Sequence, residues 1–107
     1  MASLVVLCTC PTDAADAIAG GLVKDKLAAC VNTIKGISSV YRWHGNLETA
    51  SESLLLIKAA SQDYDKLEQR LRALHPYELP EIIALPIDRG YAPYLDWLET
   101  RGDNPPP

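Results

Sequence analysis

The sequence predicts an α+β fold whose elements run β-α-β-β-α-β and end in a short helix. Three observations predict it. Residues 4–10, Leu-Val-Val-Leu-Cys-Thr-Cys, form a continuous apolar run whose length suits a strand buried on both faces. Two long extended stretches, 30–43 and 47–58, flank His44-Gly45-Asn46, a hairpin signal. Tyr64, Leu67, Leu71 and Leu74 recur at steps of 3, 4 and 3, the apolar stripe of an amphipathic helix.

Each element has a local cause. Pro11-Thr12-Asp13 ends the first strand. Thr12 is the expected N-cap of a helix over 14–27, with Asp13 and Asp16 in its first turn. Ala14, Ala15, Ile18 and Leu22 share one face of that helix. Gly20 and Gly21 weaken it by about 1 kcal/mol each relative to Ala, and are expected to permit close packing against a sheet. In the hairpin, Ile37, Ser39, Tyr41 and Trp43 alternate onto one face, and Val40, Arg42 and His44 onto the other. Both strands exceed the usual length of about 5–6 residues. Part of the hairpin should therefore overhang the domain, leaving unpaired edge and apolar surface.

Ser61 or Asp63 is the expected cap of the second helix. Asp65, Lys66, Glu68, Gln69, Arg70 and Arg72 make its wet face, and His75-Pro76 stops it. Residues 82–87 read as the last strand, with Pro86 at a sheet edge. Gly90 opens a turn into a closing helix built on Tyr91, Tyr94, Leu95 and Leu98, with Trp97 alongside. This order is the ferredoxin-like split βαβ pattern. Two right-handed βαβ units put both main helices on one sheet face. The strands at 4–10 and 82–87 are apolar at nearly every position. The second face is thus expected to be covered too, most economically by copies of the same chain around a rotation axis.

At 107 residues and 11.7 kDa the chain is expected to form one domain over residues 1–100, followed by a flexible tail over 101–107. Lys and Arg number 10 against 14 Asp and Glu, for a net charge of −4. That balance argues against nucleic acid as a partner and against polybasic docking to a membrane. No stretch approaches the roughly 18 apolar residues of a membrane span. The three cysteines are an odd count, and the first ten residues carry no cationic region or cleavage signature. Both point to a reduced, cytoplasmic protein. Phe is absent. The aromatics are five Tyr and two Trp, side chains whose polar ends need partners when buried and which are common at interfaces.

Three groups of residues carry chemistry. Cys8-Thr9-Cys10 puts two sulfurs on one side of a strand, where a soft ion such as Cu(I) would suit them. Plain burial of small apolar thiols accounts for them as well. His75-Pro76-Tyr77-Glu78-Leu79-Pro80-Glu81 is the densest polar cluster, on a loop stiffened by two prolines. His75 there is an acid, base or metal ligand, or a helix-terminal residue facing carbonyl ends. Tyr41 and Trp43 share a face suited to an aromatic cluster, with Lys58 on the partner strand as a cation. Packing in a core or interface is the competing account. Arg101-Gly102-Asp103 matches an adhesion tripeptide by letter only.

Read in order, these segments resemble the CutA family of divalent-cation tolerance proteins. The resemblance rests on Val6-Leu7-Cys8-Thr9, Lys26-Leu27-Ala28-Ala29-Cys30-Val31-Asn32, Tyr41-Arg42-Trp43-His44-Gly45, Leu56-Ile57-Lys58, His75 to Glu81, and Tyr94-Leu95-Asp96-Trp97. It implies a ferredoxin-like subunit in a tight, PII-like homotrimer, and a role in tolerance of copper and other divalent ions. It implies metal ligands at Cys8, Cys30 and His75 for a copper or other divalent ion held loosely. It also implies a subunit-boundary ligand cluster of Tyr41, Trp43, Lys58, Tyr77, Glu81 and Trp97. No reaction comes with the resemblance, and no nucleophile or Gly-rich anion loop is legible, so the chain is not expected to be an enzyme. Two functions compete. One is a trimer binding metal or a small ligand at subunit clefts. The other is a PII-like signalling module whose effect on metals is indirect.

Overall fold

The apolar run near the start of the chain becomes an inner strand of a four-stranded antiparallel sheet. The computed structural model describes residues 2–103. Its elements are β1 (Ser3–Cys10), α1 (Thr12–Lys24), β2 (Cys30–Trp43), β3 (Asn46–Ala60), α2 (Tyr64–Leu74), β4 (Ile83–Pro86) and α3 (Ala92–Glu99), with a 3-10 turn at Ser61–Asp63 leading into α2. The sheet order is β2-β3-β1-β4. This is the α+β, βαββαβα architecture that the sequence predicts, and β4 with Pro86 lies at the edge.

Alternation along β1 and β3 sorts their side chains between two faces. Val6, Cys8 and Cys10 of β1 and Leu55, Ile57 and Ala59 of β3 are buried against Ala15, Ile18 and Leu22 of α1 and Leu67 and Leu71 of α2. The predicted stripes are thus the core-facing surfaces of both helices, with Tyr64 and Leu74 packed at the margin. The opposite face is less covered. On β4, Ile83 and Leu85, which pair with Leu7 and Val5, are 49% and 48% exposed. Helix α3 packs back against β1 and β3, with Leu98 fully buried.

Several local details differ from expectation. Thr12 does not cap α1. Pro11 is the cap residue, and the Thr12 hydroxyl lies 3.0 Å from the Ser53 hydroxyl of β3. Helix α1 stops at Lys24, short of residue 27, because Lys26 takes left-handed backbone at φ 59 and turns the chain toward β2. Gly21 admits a neighbouring helix and not the sheet, since a Cβ there would stand 3.2 Å from Leu74 Cδ1 of α2. Asp63 precedes α2 without a side-chain cap. Its carboxylate instead accepts two hydrogen bonds of 2.8 Å from the Arg101 guanidinium. Arg101, assigned from sequence to the tail, is therefore anchored, and Gly102 lies against the Trp97 ring. Asp103 pairs with Lys26 at 3.3 Å, and the remaining tail residues, 104–107, lie outside the described residues.

The hairpin turns on two residues, His44 at φ 50 and Gly45 at φ 80. Both values are positive, as a tight hairpin turn matched to strand twist requires. Trp43 pairs with Asn46, and the register continues to Ile37 opposite Glu52, where a bulge between Ile34 and Ile37 bends β2. Strand β1 pairs with β3 only from Ala60 to Ser53. Residues 37–43 and 46–52 consequently extend as a two-stranded ribbon beyond the sheet. At about 3.3 Å per residue that overhang is roughly 20 Å long, and the subunit measures 49 × 25 × 24 Å.

Candidate functional site

Helix α2 ends where His75 leaves helical backbone ahead of Pro76. The His75 ring turns inward and is 7% exposed. Its Nδ1 accepts the Tyr77 amide N–H at 3.0 Å, and its Nε2 lies 2.7 Å from the Thr9 carbonyl of β1. An acceptor role at Nδ1 puts the proton on Nε2, which donates to Thr9. The Tyr77 ring follows at 4.7 Å from the His75 ring. Its hydroxyl donates to Glu52 Oε2 at 2.7 Å. Burial, then the Glu52 carboxylate, pushes the Tyr77 hydroxyl well above the ordinary phenol range, so it stays a donor.

Glu52 belongs to the overhanging ribbon. The register puts it opposite Ile37, on the face that also carries Ser39, Tyr41 and Trp43. Between that face and the stiff loop after α2 lies an open cleft of about 740 Å³. Tyr41, Trp43, Ser38, Ser39 and Val40 of β2 form one wall. Pro76, Tyr77, Glu78, Leu79 and Glu81 form the other, with Thr9 and Glu52 at the base. Trp43 is braced by an edge-on contact with His44, ring centroids 4.9 Å apart.

Four of the six expected boundary residues, Tyr41, Trp43, Tyr77 and Glu81, therefore meet in one cleft. Lys58 and Trp97 do not join them. Lys58 pairs with Cys30 across β2 and β3, and its ammonium donates to Asn32 Oδ1. Cys30 Sγ is 3.9 Å from the same oxygen. Trp97 stacks on Tyr94 at 5.6 Å, and Tyr94 is near enough to Cys30 for a thiolate there to help burial push its hydroxyl up. Among the described residues one aromatic cluster thus lies at the cleft and another beside Cys30.

The expected metal set is not assembled in one chain. Cys8 lies in the core beneath the helices, fully buried. Cys30 pairs with Lys58, which pairs with Val5, so Cys30 shares the opposite sheet face. Cys8 and His75 do come near each other, but around a single acceptor: Cys8 Sγ is 3.7 Å from the Thr9 carbonyl that His75 also meets. Burial, then Cys10, pushes the Cys8 thiol up to about 12. Both His75 nitrogens are already engaged. Among the described residues no group of three or more His, Cys, Asp or Glu is placed to hold a metal ion. These residues do not fit a copper centre as they stand.

The sequence reading singled out neither Glu52 at the cleft nor Asn32 beside Lys58 for a role, and it named Thr9 and Glu78 only within their motifs. For Glu52 the signal was present. A two-residue turn at His44-Gly45 sets the register, and that register puts Glu52 on the Tyr41 face.

A profile of the CutA1 divalent ion tolerance protein matches residues 4–101. A divalent-cation tolerance protein CutA from Thermus thermophilus is 50% identical over 95 residues, covering 88% of this chain and 92% of that one. A CutA homologue from Xenopus laevis is 52% identical over 84% of this chain, which spans only 60% of that longer protein. The solved Cut A1 structure from Thermus thermophilus superposes with TM-score 0.90 at 48% identity, over 92% of this chain and 97% of that one. The apo structure of the PII-like protein CutA from Nostoc sp. PCC 7120 superposes with TM-score 0.87 at 32% identity, over 95% of this chain and 97% of that one. None of these names denotes an enzyme.

Proposed function

The chain belongs to the CutA1 divalent ion tolerance protein family, and from that premise we propose that it works as a homotrimeric, PII-like module taking a small ligand at the cleft beside its hairpin. Its effect on tolerance of copper or other divalent ions is then indirect, not the work of a Cys8, Cys30 and His75 centre. The observation that carries this is the cleft itself. It gathers Tyr41, Trp43, Tyr77 and Glu81 beside a buried carboxylate, while Cys8 is buried in the core and His75 is occupied with holding the loop after α2 to β1. The trimer is supported by the overhanging ribbon, since a two-stranded ribbon is marginal alone, and by the apolar face at Ile83 and Leu85. The three free cysteines suit a reducing, cytoplasmic setting. Among the described residues no helix is long and apolar enough to cross a membrane.

Growth of cells in copper, carrying this chain in place of their own homologue, tests the assignment. Tyr41→Ala and Glu81→Gln should lose tolerance while Cys30→Ser keeps it. The opposite pattern, with Cys30→Ser losing copper binding in equilibrium titration, restores direct metal capture. Native mass spectrometry showing a stable monomer removes the trimer.

A further inference from the structure

The walls of the cleft are chemically one-sided. Three rings, Tyr41, Trp43 and Tyr77, face three carboxylates, Glu52, Glu78 and Glu81, and among the described residues no Lys, Arg or His lines it. Glu52 is the most constrained of these groups. It is 5% exposed and accepts a hydrogen bond from the Tyr77 hydroxyl. Among the described residues no Lys or Arg forms an ion pair with it. A buried carboxylate without a cation is costly unless something positive approaches. The open side of Glu52 is the cleft, and the faces of the surrounding rings attract positive charge as well.

We infer that the cleft is a binding site for an organic cation, an ammonium head carrying an apolar body. This rests on the cleft being the ligand site proposed above. The head sits among Glu52, Tyr41 and Tyr77, where carboxylate and ring faces act together. The apolar body runs out along Val40 and Leu79, which line the mouth. A hard metal ion is a poorer occupant. It demands about six or more converging oxygens, and no such cluster exists among the described residues. An alkylammonium is weakly hydrated and needs only one carboxylate with π faces around it. An anion meets three negative groups and no positive one.

The test compares two molecules of nearly equal shape, choline and its uncharged analogue 3,3-dimethylbutan-1-ol, by titration calorimetry on the assembled protein. Choline should bind about tenfold more tightly or better. Glu52→Gln should remove that preference and leave the neutral analogue unchanged. Should that variant fold poorly, Glu81→Gln at an exposed position should still weaken choline about threefold. Equal binding of the two molecules overturns the cation assignment, as does a preference that survives both variants. A neighbouring subunit's Lys or Arg seated on Glu52 in a crystal structure of the assembly overturns it too. Native mass spectrometry on the same samples separates the two failures. An intact trimer without choline binding at about 10 mM refutes the organic cation but not the assembly. A monomer refutes the reading on which it rests.

Discussion

The two halves of the β2–β3 hairpin are made of the same strands and meet opposite fates. At its base, β3 lies between β2 and β1, and Leu55, Ile57 and Ala59 are buried beneath two helices. At its tip the ribbon has no third strand, and Leu47 is 79% exposed. Strand propensity is satisfied in both halves. What differs is the number of neighbours, and burial energy comes from neighbours, not from being extended. The base is a core and the tip a surface awaiting one. The buried Glu52 sits at the junction, where loop residues after α2 fold over the ribbon and make the cleft.

Substitutions can sharpen that contrast. The largest effect is expected at the base. Leu55→Ala should cost about 2–5 kcal/mol in urea denaturation, whereas Leu47→Ala at the tip should stay within about 0.5 kcal/mol for the dissociated subunit. Equal losses at both positions would show that the tip is as well packed as the base. At the junction, Tyr77→Phe removes the hydroxyl that donates to the Glu52 carboxylate. A loss of about 1–3 kcal/mol is expected, and an unchanged denaturation midpoint would mean that solvent already reaches Glu52. At the turn, Gly45→Ala places a side chain at φ 80. It should cost about 1 kcal/mol and loosen the ribbon, seen as faster amide exchange over residues 40–49 with the sheet unaffected.

The smallest effect concerns the thiols. Cys8 is raised above its unfolded value of 9.0 to about 12 by burial and then by Cys10. An unfolded chain ionises there first, so the stability tied to Cys8 is intact below pH 9 and declines as pH rises toward 12. Cys8→Ala should flatten that decline relative to the parent chain, and an identical profile would disprove the assignment. At pH 8 in the native subunit, Cys30 should be the first thiol to react with a disulfide reagent. It is half-buried, while Cys8 and Cys10 are fully buried.

Much of this molecule is legible residue by residue. The leucine stripe of α2, the apolar run of β1 and the His44-Gly45 turn each depend on a local rule, and each element formed where that rule put it. The boundaries that shifted did so for tertiary reasons. Thr12 found Ser53, and Asp63 found Arg101, partners 41 and 38 residues away; a propensity for capping could not compete with those contacts. The expected ligand cluster divided for a similar reason. Tyr41, Trp43, Tyr77 and Glu81 sit around the ribbon, whereas Lys58 lies at the far end of β3, beside Trp97's cluster. Distance along two long strands separates them within one chain.

By itself, then, the sequence determined the order of strands and helices, their core-facing sides and the turn that sets the hairpin register. Period and turn chemistry are encoded locally, within a few residues of each position. Only the tertiary structure decided which chemistry-bearing residues meet. It placed Cys8 and Cys30 on opposite faces of the sheet, engaged both nitrogens of His75, and set Glu52 inside a ring of aromatics. Those outcomes depend on pairing across the sheet and on where a loop closes over a strand end, which no short stretch of sequence specifies.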